Sequence, residues 1–313
     1  MDKDTIKRLI IEYQQFVANI TLIEREIHLS HQLNYVFVGL RRAGKSYLMY
    51  QQIQSLLNDG HQPEEILYFN FEDDRLVNLT VEDLDLIKVS YEELYPHKPI
   101  FFLDEIQIVE HWEKFARRLA DQQYRVYITG SNAKMLSAEI ATTLGGRYIV
   151  QNVYPFSFSE FLKASKIEIG PTWYYKNRTE IVRTFSDYFS YGGLPELMLI
   201  ETIEKRQWLS NLFNKIFFGD LITRYSIRND LAMKVLIRKL AESVKQPSSF
   251  NRLTNIVSTT GAKVSTDTII DYLNFLQATW LFFSLENYAS KLVEKISNRK
   301  YYFIDNGLLN LFL

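Results

Sequence analysis

At 313 residues and 47% hydrophobic content, the chain is long enough for two or three domains and apolar enough to fill their cores. A formal net charge of -1 and a pI near 6.6 argue against a surface that coats nucleic acid throughout, while permitting a local basic face. The absence of cysteine excludes disulfide scaffolds, thiolate zinc sites and cysteine nucleophiles, and makes a reducing cytoplasm the simplest expected location.

The opening segment, MDKDTIKRLIIEYQQF, spaces its apolar residues as an amphipathic helix and carries charges throughout, unlike a secretory leader. TLIEREIHL then leads into NYVFV, a β-branched and aromatic strand ending at Gly39. A helix is expected from about Lys45 to Leu57, stopped by the breakers of NDGHQPEE. EILYFNFEDD reads as a second strand, Val81 to Glu93 as a helix, KPIFFLDEIQ as a third strand and HWEKFARRLADQQ as the next helix. YRVYITGSN supplies a fourth strand, AKMLSAEIATTL a helix, and GGRYIVQNVYPF a fifth strand. Strands alternating with helices predict an α/β fold, a parallel sheet covered on both faces. From Ser157 the alternation fades and helical patterns dominate to about Ala289, broken near KIEIGPTW and YGGLPE. Boundaries near 155 and 225 are therefore expected, giving regions 1–155, 156–225 and 226–313. No apolar run reaches the length that spans a bilayer; ATWLFFSL is too short.

The turn between the first strand and its helix carries the most specific signal. Gly39, Leu40, Arg41, Arg42, Ala43, Gly44, Lys45 and Ser46 form G-x-x-x-x-G-K-S, a spacing in which each fixed position has a physical task. The glycines let the main chain wrap inward, so that its N–H groups and the following helix N-terminus face the β- and γ-phosphates of a nucleotide. Lys45 adds a point charge, and Ser46 offers a hydroxyl to Mg²⁺, which prefers hard oxygen ligands. Tyr47 adjoins the loop and is counted among the nucleotide-contacting positions. For Arg41 and Arg42 two readings fit: approach to the nucleotide or a partner, or a solvated loop pair.

PIFFLDEI supplies the complementary half. Asp104 and Glu105 fall at the carboxyl end of an apolar strand, where open α/β sheets bind ligands. Asp104 is expected to hold Mg²⁺ through water, together with Ser46. Glu105 is expected to polarise the water that attacks the γ-phosphate, a reaction that needs mainly positioning and charge compensation. Ser131 and Asn132, ending the fourth strand in TGSN, fit either a polar contact to the γ-phosphate or attacking water, or a helix N-cap. Asn70 fits either a restraint on Glu105 or a capped turn. Arg147 in LGGRY fits either a charge-compensating arginine or a surface residue. No N-K-x-D guanine-reading tetrad is present, since NKIF at Asn214 lacks the acid, so ATP is favoured over GTP. The five histidines, His28, His31, His61, His97 and His111, lack metal-ligand spacing.

Taken in order, RRAGKSYL, FFLDEIQ, YITGSNAKML, TTLGGRYIVQNVYPFSFSEFL, YGGLPE and KYYFIDNGLL resemble the bacterial and archaeal predicted AAA+ superfamily ATPases. Those proteins pair a P-loop core with a winged-helix region and group near the signal-transducing STAND ATPases. The resemblance covers nearly the whole chain and implies a P-loop NTPase sandwich of strand order 5-1-4-3-2, followed by helical and winged-helix parts. It also implies sensor-like polarity at Ser131 and Asn132, a functional Arg147, and a part for EREI, with Arg25, in seating the base. Gly193 and Pro195 of GGLP resemble the motif by which a helical region approaches the nucleotide in STAND proteins. Similar proteins continue past DNGLL into a nuclease-like domain; the sequence therefore reads as a shortened form, which puts nuclease activity in doubt.

Near the C-terminus, Leu253, Ile256, Val257, Ile269, Ile270, Leu273 and Leu276 fit the core of a helix-turn-helix, and WLFFSLENY to KYYFID fits a two-stranded wing. From Lys234 to Lys300 ten Lys or Arg stand against five Asp or Glu, a balance that attracts phosphates. Yet the second helix of the pair carries Asp267 and Asp271 and no basic residue, so a role in packing competes with one in DNA binding. Three functions follow: an Mg²⁺-dependent ATPase working as a conformational switch, a DNA-associated AAA+ loader or translocase, and a nucleotide-binding adaptor without turnover. A protein partner and oligomerisation are compatible with all three, and a membrane with none.

Overall fold

The computed structural model describes all residues except 1, 77–78, 131–141, 262, 287, 289–290 and 292–297. By contact the chain divides into two compact units, 1–39 with 44–153, and 40–43 with 154–313. Residues Leu40–Ala43 thus pack as part of the second unit, whereas the strand before them and the helix after them belong to the first.

The first unit is built on five parallel strands: β1 (Asn34–Val38), β2 (Ile66–Asn70), β3 (Ile100–Asp104), β4 (Val126–Gly130) and β5 (Tyr148–Asn152). Their order is β2-β3-β4-β1-β5, which is the expected 5-1-4-3-2 read from the other edge. β3 and β4 are buried throughout, and so is β1 beyond Asn34, as continuous apolar runs covered on both faces must be. β5 lies at an edge and leaves Ile149 and Val150 about half exposed. Aromatic rings fill the sheet core, with Phe102 and Tyr127 stacked at 4.5 Å between centroids.

Helix α1 (Lys3–Asn19) begins where Asp2 accepts hydrogen bonds from the N–H groups of Asp4 and Thr5, and it buries Ile6, Leu9, Ile10 and Val17 at helical spacing. α2 (Lys45–Asn58) starts at Gly44, whose φ of 95° is left-handed, and buries Leu48, Met49, Ile53 and Leu56. α3 (Val81–Leu94) opens with a capping box in which the Thr80 N–H donates to Asp83 at 2.9 Å. α4 (Trp112–Asp121) buries Trp112, Phe115, Ala116 and Leu119. Of the helix expected over AKMLSAEIATTL, all but the last turn, as well as Ser131 and Asn132, lies outside the described residues.

The second unit is mainly helical. α5 (Phe158–Ala164) is capped by Ser157 and Glu160 reciprocally, and α6 (Arg178–Tyr191) stops at Gly192, φ 84°. α7 (Thr202–Lys215) continues into a π-helical stretch, Ile216–Thr223. α8 (Asp230–Glu242), α9 (Phe250–Thr259) and α10 (Thr266–Ala278) follow, the last two capped by Ser249 and Ser265. Of the expected helix-pair core, Leu253, Val257, Ile269, Leu273 and Leu276 are buried; Ile256 and Ile270 are half-buried. A small antiparallel sheet, β6 (Ser248–Ser249), β7 (Phe282–Leu285) and β8 (Asn298–Phe303), has the order β6-β8-β7. Among the described residues no helix is long and apolar enough to cross a membrane.

Candidate functional site

The first unit brings Gly39, Lys45, Ser46, Asp104 and Glu105 to the carboxyl ends of β1 and β3, as the spacing predicts. Gly39 is required by a close approach: a Cβ there would lie 2.1 Å from the carbonyl oxygen of Val153. The neighbouring Val153 N–H donates to Val38 at 2.7 Å, so the strand cannot back away. Lys45 is buried with its Nζ 3.3 Å from the Gly39 carbonyl, which places an ammonium inside the loop that its own chain forms.

Asp104 ends β3 almost fully buried and collects three hydroxyls. Ser46 Oγ donates to Oδ1 at 3.1 Å, Thr129 Oγ1 donates to the same oxygen, and Tyr68 donates to Oδ2 at 2.7 Å. Burial pushes the Asp104 carboxyl up; the Thr129, Tyr68 and Ser46 hydroxyls pull it down, and the charge of Glu105 raises it again. Behind it, Tyr50 and Tyr68 share a hydrogen bond of 3.0 Å, and burial pushes the Tyr50 phenol up to about 12.

Glu105 has φ 56°, a left-handed conformation that costs a residue with a Cβ about 1 kcal/mol and is therefore held by its surroundings. The Glu105 N–H donates to Thr129 Oγ1 at 2.8 Å, and Gln107 Nε2 donates to its carboxylate. Thr129 thus ties both acids to β4.

The remaining expected positions divide. Asn70 caps a turn, its Oδ1 accepting from the Glu72 N–H at 2.9 Å, as the capped-turn reading expects. Arg25 is buried, and its main chain is clasped by the Gln51 side chain of α2, which accepts from the Arg25 N–H at 2.7 Å and donates to its carbonyl at 3.1 Å. Tyr47 is about half exposed, its ring 5.4 Å from that of Tyr50. Arg147 Nε pairs with Asp121 at the end of α4.

In the second unit, the loop residues Arg41 and Arg42 differ: Arg41 is largely withdrawn from solvent, and Arg42 is exposed. Arg41 forks onto Asp220, whose side chain is 7% exposed, and Arg42 donates to Glu196. Gly193 and Pro195 follow the stop of α6. The Gly193 N–H donates to Asp305 Oδ2 at 2.8 Å, its carbonyl accepts from Phe156 at 2.7 Å, and a Cβ there would sit 2.4 Å from the Phe156 carbonyl oxygen. Pro195 opens a short 3₁₀ turn. Asp305 also accepts from Gly307 and Leu308, so YGGLP and DNGLL are joined through one carboxylate.

The AAA domain family matches residues 31–162, and a domain of unknown function, DUF8612, matches 182–313. The uncharacterized protein MJ1544 of Methanocaldococcus jannaschii is 33% identical over 315 residues, 99% of this chain and 69% of its own length. An uncharacterized protein of Haemophilus influenzae is 32% identical over 300 residues, 92% of this chain and 72% of its own. The solved structure of the Walker-type ATPase PABY2304 of Pyrococcus abyssi aligns over 99% of this chain and 95% of its own at a TM-score of 0.53. At 11% identity that likeness is one of fold. The chain belongs to the AAA+ superfamily of P-loop ATPases.

For an AAA+ ATPase the donor set fits a magnesium nucleotide. Ser46 and Asp104 present hard oxygens within a hydrogen bond of each other, and Asp104 is a desolvated carboxyl whose charged form a cation would favour. What sequence reasoning missed in this AAA+ chain is the support behind the acids: Tyr50, Tyr68, Thr129, Gln107 and Gln51. Tyr68 and Thr129 lie inside strands whose apolar runs conceal a polar task. For Thr129 a faint signal exists, since a hydroxyl residue sits just before the strand end in a run otherwise rich in Val, Tyr and Ile.

Proposed function

We propose that the protein is an Mg²⁺-dependent ATPase whose nucleotide state sets the arrangement of its helical region, a conformational switch with slow hydrolysis. The observation that carries this reading is the Ser46–Asp104 hydrogen bond of 3.1 Å beside a Lys45 buried within its own glycine loop, with Glu105 next in sequence. The main chain of Gly39 to Ser46 binds the phosphates, and Tyr47 borders them. Lys45 compensates their charge, and Ser46 and Asp104 would hold Mg²⁺, which would supply charge neutralisation for the phosphates. Glu105 orients the attacking water and accepts its proton.

Arg25 helps to seat the base. Ser131 and Asn132 monitor the γ-phosphate, and Gly193 and Pro195 carry the state of the site to the helical part. Arg147 compensates charge in the transition state once its pairing with Asp121 opens. The three regions 1–155, 156–225 and 226–313 serve as ATPase core, helical lid and winged helix.

Phosphate release by wild type, Lys45→Ala and Glu105→Gln tests the reading. The expected results are loss of nucleotide binding in the first variant and retention of ATP without turnover in the second; equal turnover in all three overturns it. A second reading, a DNA-associated AAA+ machine, draws on the excess of ten basic over five acidic residues between 234 and 300. Asp267 and Asp271 on α10 weigh against it, and stimulation of phosphate release by duplex DNA decides. The nucleotide-binding adaptor without turnover is the outcome in which ATP binds to wild type and no phosphate appears.

A further inference from the structure

The phosphate loop contains two arginine side chains to which the proposed chemistry gives no task. Leu40–Ala43 packs with the second unit, and the contacts of Arg41 and Arg42 there are specific. Arg41 Nε and Nη2 donate to the two oxygens of Asp220 at 2.5 and 3.1 Å, a planar fork that fixes orientation as well as distance. Asp220 is itself nearly buried, lies in the π-helical stretch Ile216–Thr223, and accepts from Arg224 at 2.8 Å. π-Helical turns are rare and cluster at functional sites. Arg42 donates to Glu196 and lies over the Trp208 ring, 5.5 Å from its centroid.

The backbone supplies the second observation. Arg42 has φ 62°, a left-handed conformation that a residue with a Cβ enters only at a cost. Left-handed backbone at Arg42 and again at Gly44, φ 95°, is the kind that makes successive N–H groups converge on an anion. A glycine at position 42 would reach it without strain, yet the chain carries arginine there. Both guanidinium groups are engaged by acids, so what they fix is the main chain between and beside them.

We propose that Asp220, with Glu196 and Trp208, are positioning residues for the phosphate loop: they grip Arg41 and Arg42 and thereby hold the loop's main chain in the shape that receives phosphates. The inference rests on the reading of that loop as a nucleotide site. Because linkage is reciprocal, a nucleotide in the loop stabilises the segment 216–224 in turn.

The test measures the affinity of the full chain for a fluorescent ADP analogue with Mg²⁺. Arg42→Gly loses the grip of Glu196 and Trp208 and is expected to bind about three- to fivefold more weakly than wild type, and Arg42→Ala, which adds left-handed strain, more weakly still. Glu196→Gln is expected to lose binding as Arg42→Gly does; wild-type binding by Glu196→Gln beside a loss in Arg42→Gly overturns the proposal, because it means that the Arg42 side chain itself touches phosphate. Asp220→Asn, which keeps shape and removes charge, is expected to weaken binding by about three- to tenfold in wild type and to add nothing in an Arg41→Gln background. The same loss in both backgrounds overturns it as well. Should Asp220→Asn fail to fold, Glu196→Gln compared with Arg42→Gly decides alone. Lys45→Ala separates the two levels: wild type that does not bind the analogue removes the nucleotide reading and this inference together. Binding that only Lys45→Ala abolishes, with the other variants unchanged, removes this inference and leaves the nucleotide reading standing.

Discussion

At the scale of single residues, the acid at the end of β3 depends on the hydroxyls buried around it. Tyr68 is the donor to Asp104 Oδ2, and Tyr68→Phe leaves that buried oxygen without it. The expected cost is about 1–3 kcal/mol of stability. The variant should also need more Mg²⁺ for the same nucleotide-induced thermal shift, measured by titrating the metal at fixed nucleotide. Asp305 makes a second residue-level prediction. Burial pushes its carboxyl up to about 6, while the N–H groups of Gly193, Leu308 and Gly307 pull the other way. A folded-state value raised above that of the unfolded chain means stability fully present below about pH 4 and lost as pH rises through 6. The loss amounts to roughly 3 kcal/mol by pH 7. Asp104, also raised by burial, acts in the same direction, whereas Asp73 and Glu93, both lowered by cationic partners, lose their contribution only in stronger acid. Thermal unfolding between pH 5 and 7 should therefore show a midpoint that falls as pH rises, and Asp305→Asn should flatten that slope.

At the scale of elements, the β1–α2 junction is set by a steric fact. In Gly39→Ala the new methyl group would stand 2.1 Å from the Val153 carbonyl oxygen, a main-chain atom that cannot rotate away. A loss of about 3 kcal/mol or more in chemical denaturation is expected, larger than for a helix cap such as Ser157→Ala at about 1 kcal/mol. The five parallel strands were legible because each is an apolar run of about five residues bounded by breakers or acids. The convergence of the lysine, serine and acid pair was legible because a glycine loop and an acid-ended strand of one parallel sheet bring those positions to the same sheet end. What stayed hidden is whatever depends on partners distant in sequence. Nothing local to TRYS or FFGDL tells that Asp220 faces Arg41, 179 positions earlier. Gln51 reads as one more polar helix residue until it is seen clasping the main chain of Arg25. Asn70 illustrates the opposite case: its turn partner lies two residues on, and the capped turn is visible in the local sequence.

At the scale of the whole molecule, a ligand that binds only the folded chain adds stability by mass action. Nucleotide with Mg²⁺ at a hundredfold its dissociation constant should add about 2.7 kcal/mol, seen as a raised unfolding midpoint that Lys45→Ala lacks. If the basic residues between 234 and 300 serve DNA, affinity should fall steeply with salt, and a flat salt dependence would leave that region a packing element. The assignment of Leu40–Ala43 to the second unit has a practical corollary for dissecting the protein. A fragment cut at 153 would keep every strand of the parallel sheet, both acids and the lysine, yet would lack Asp220, Glu196 and Trp208. Such a truncation leaves Arg41 and Arg42 without the acids that engage them, and its affinity for nucleotide should fall below that of the full chain.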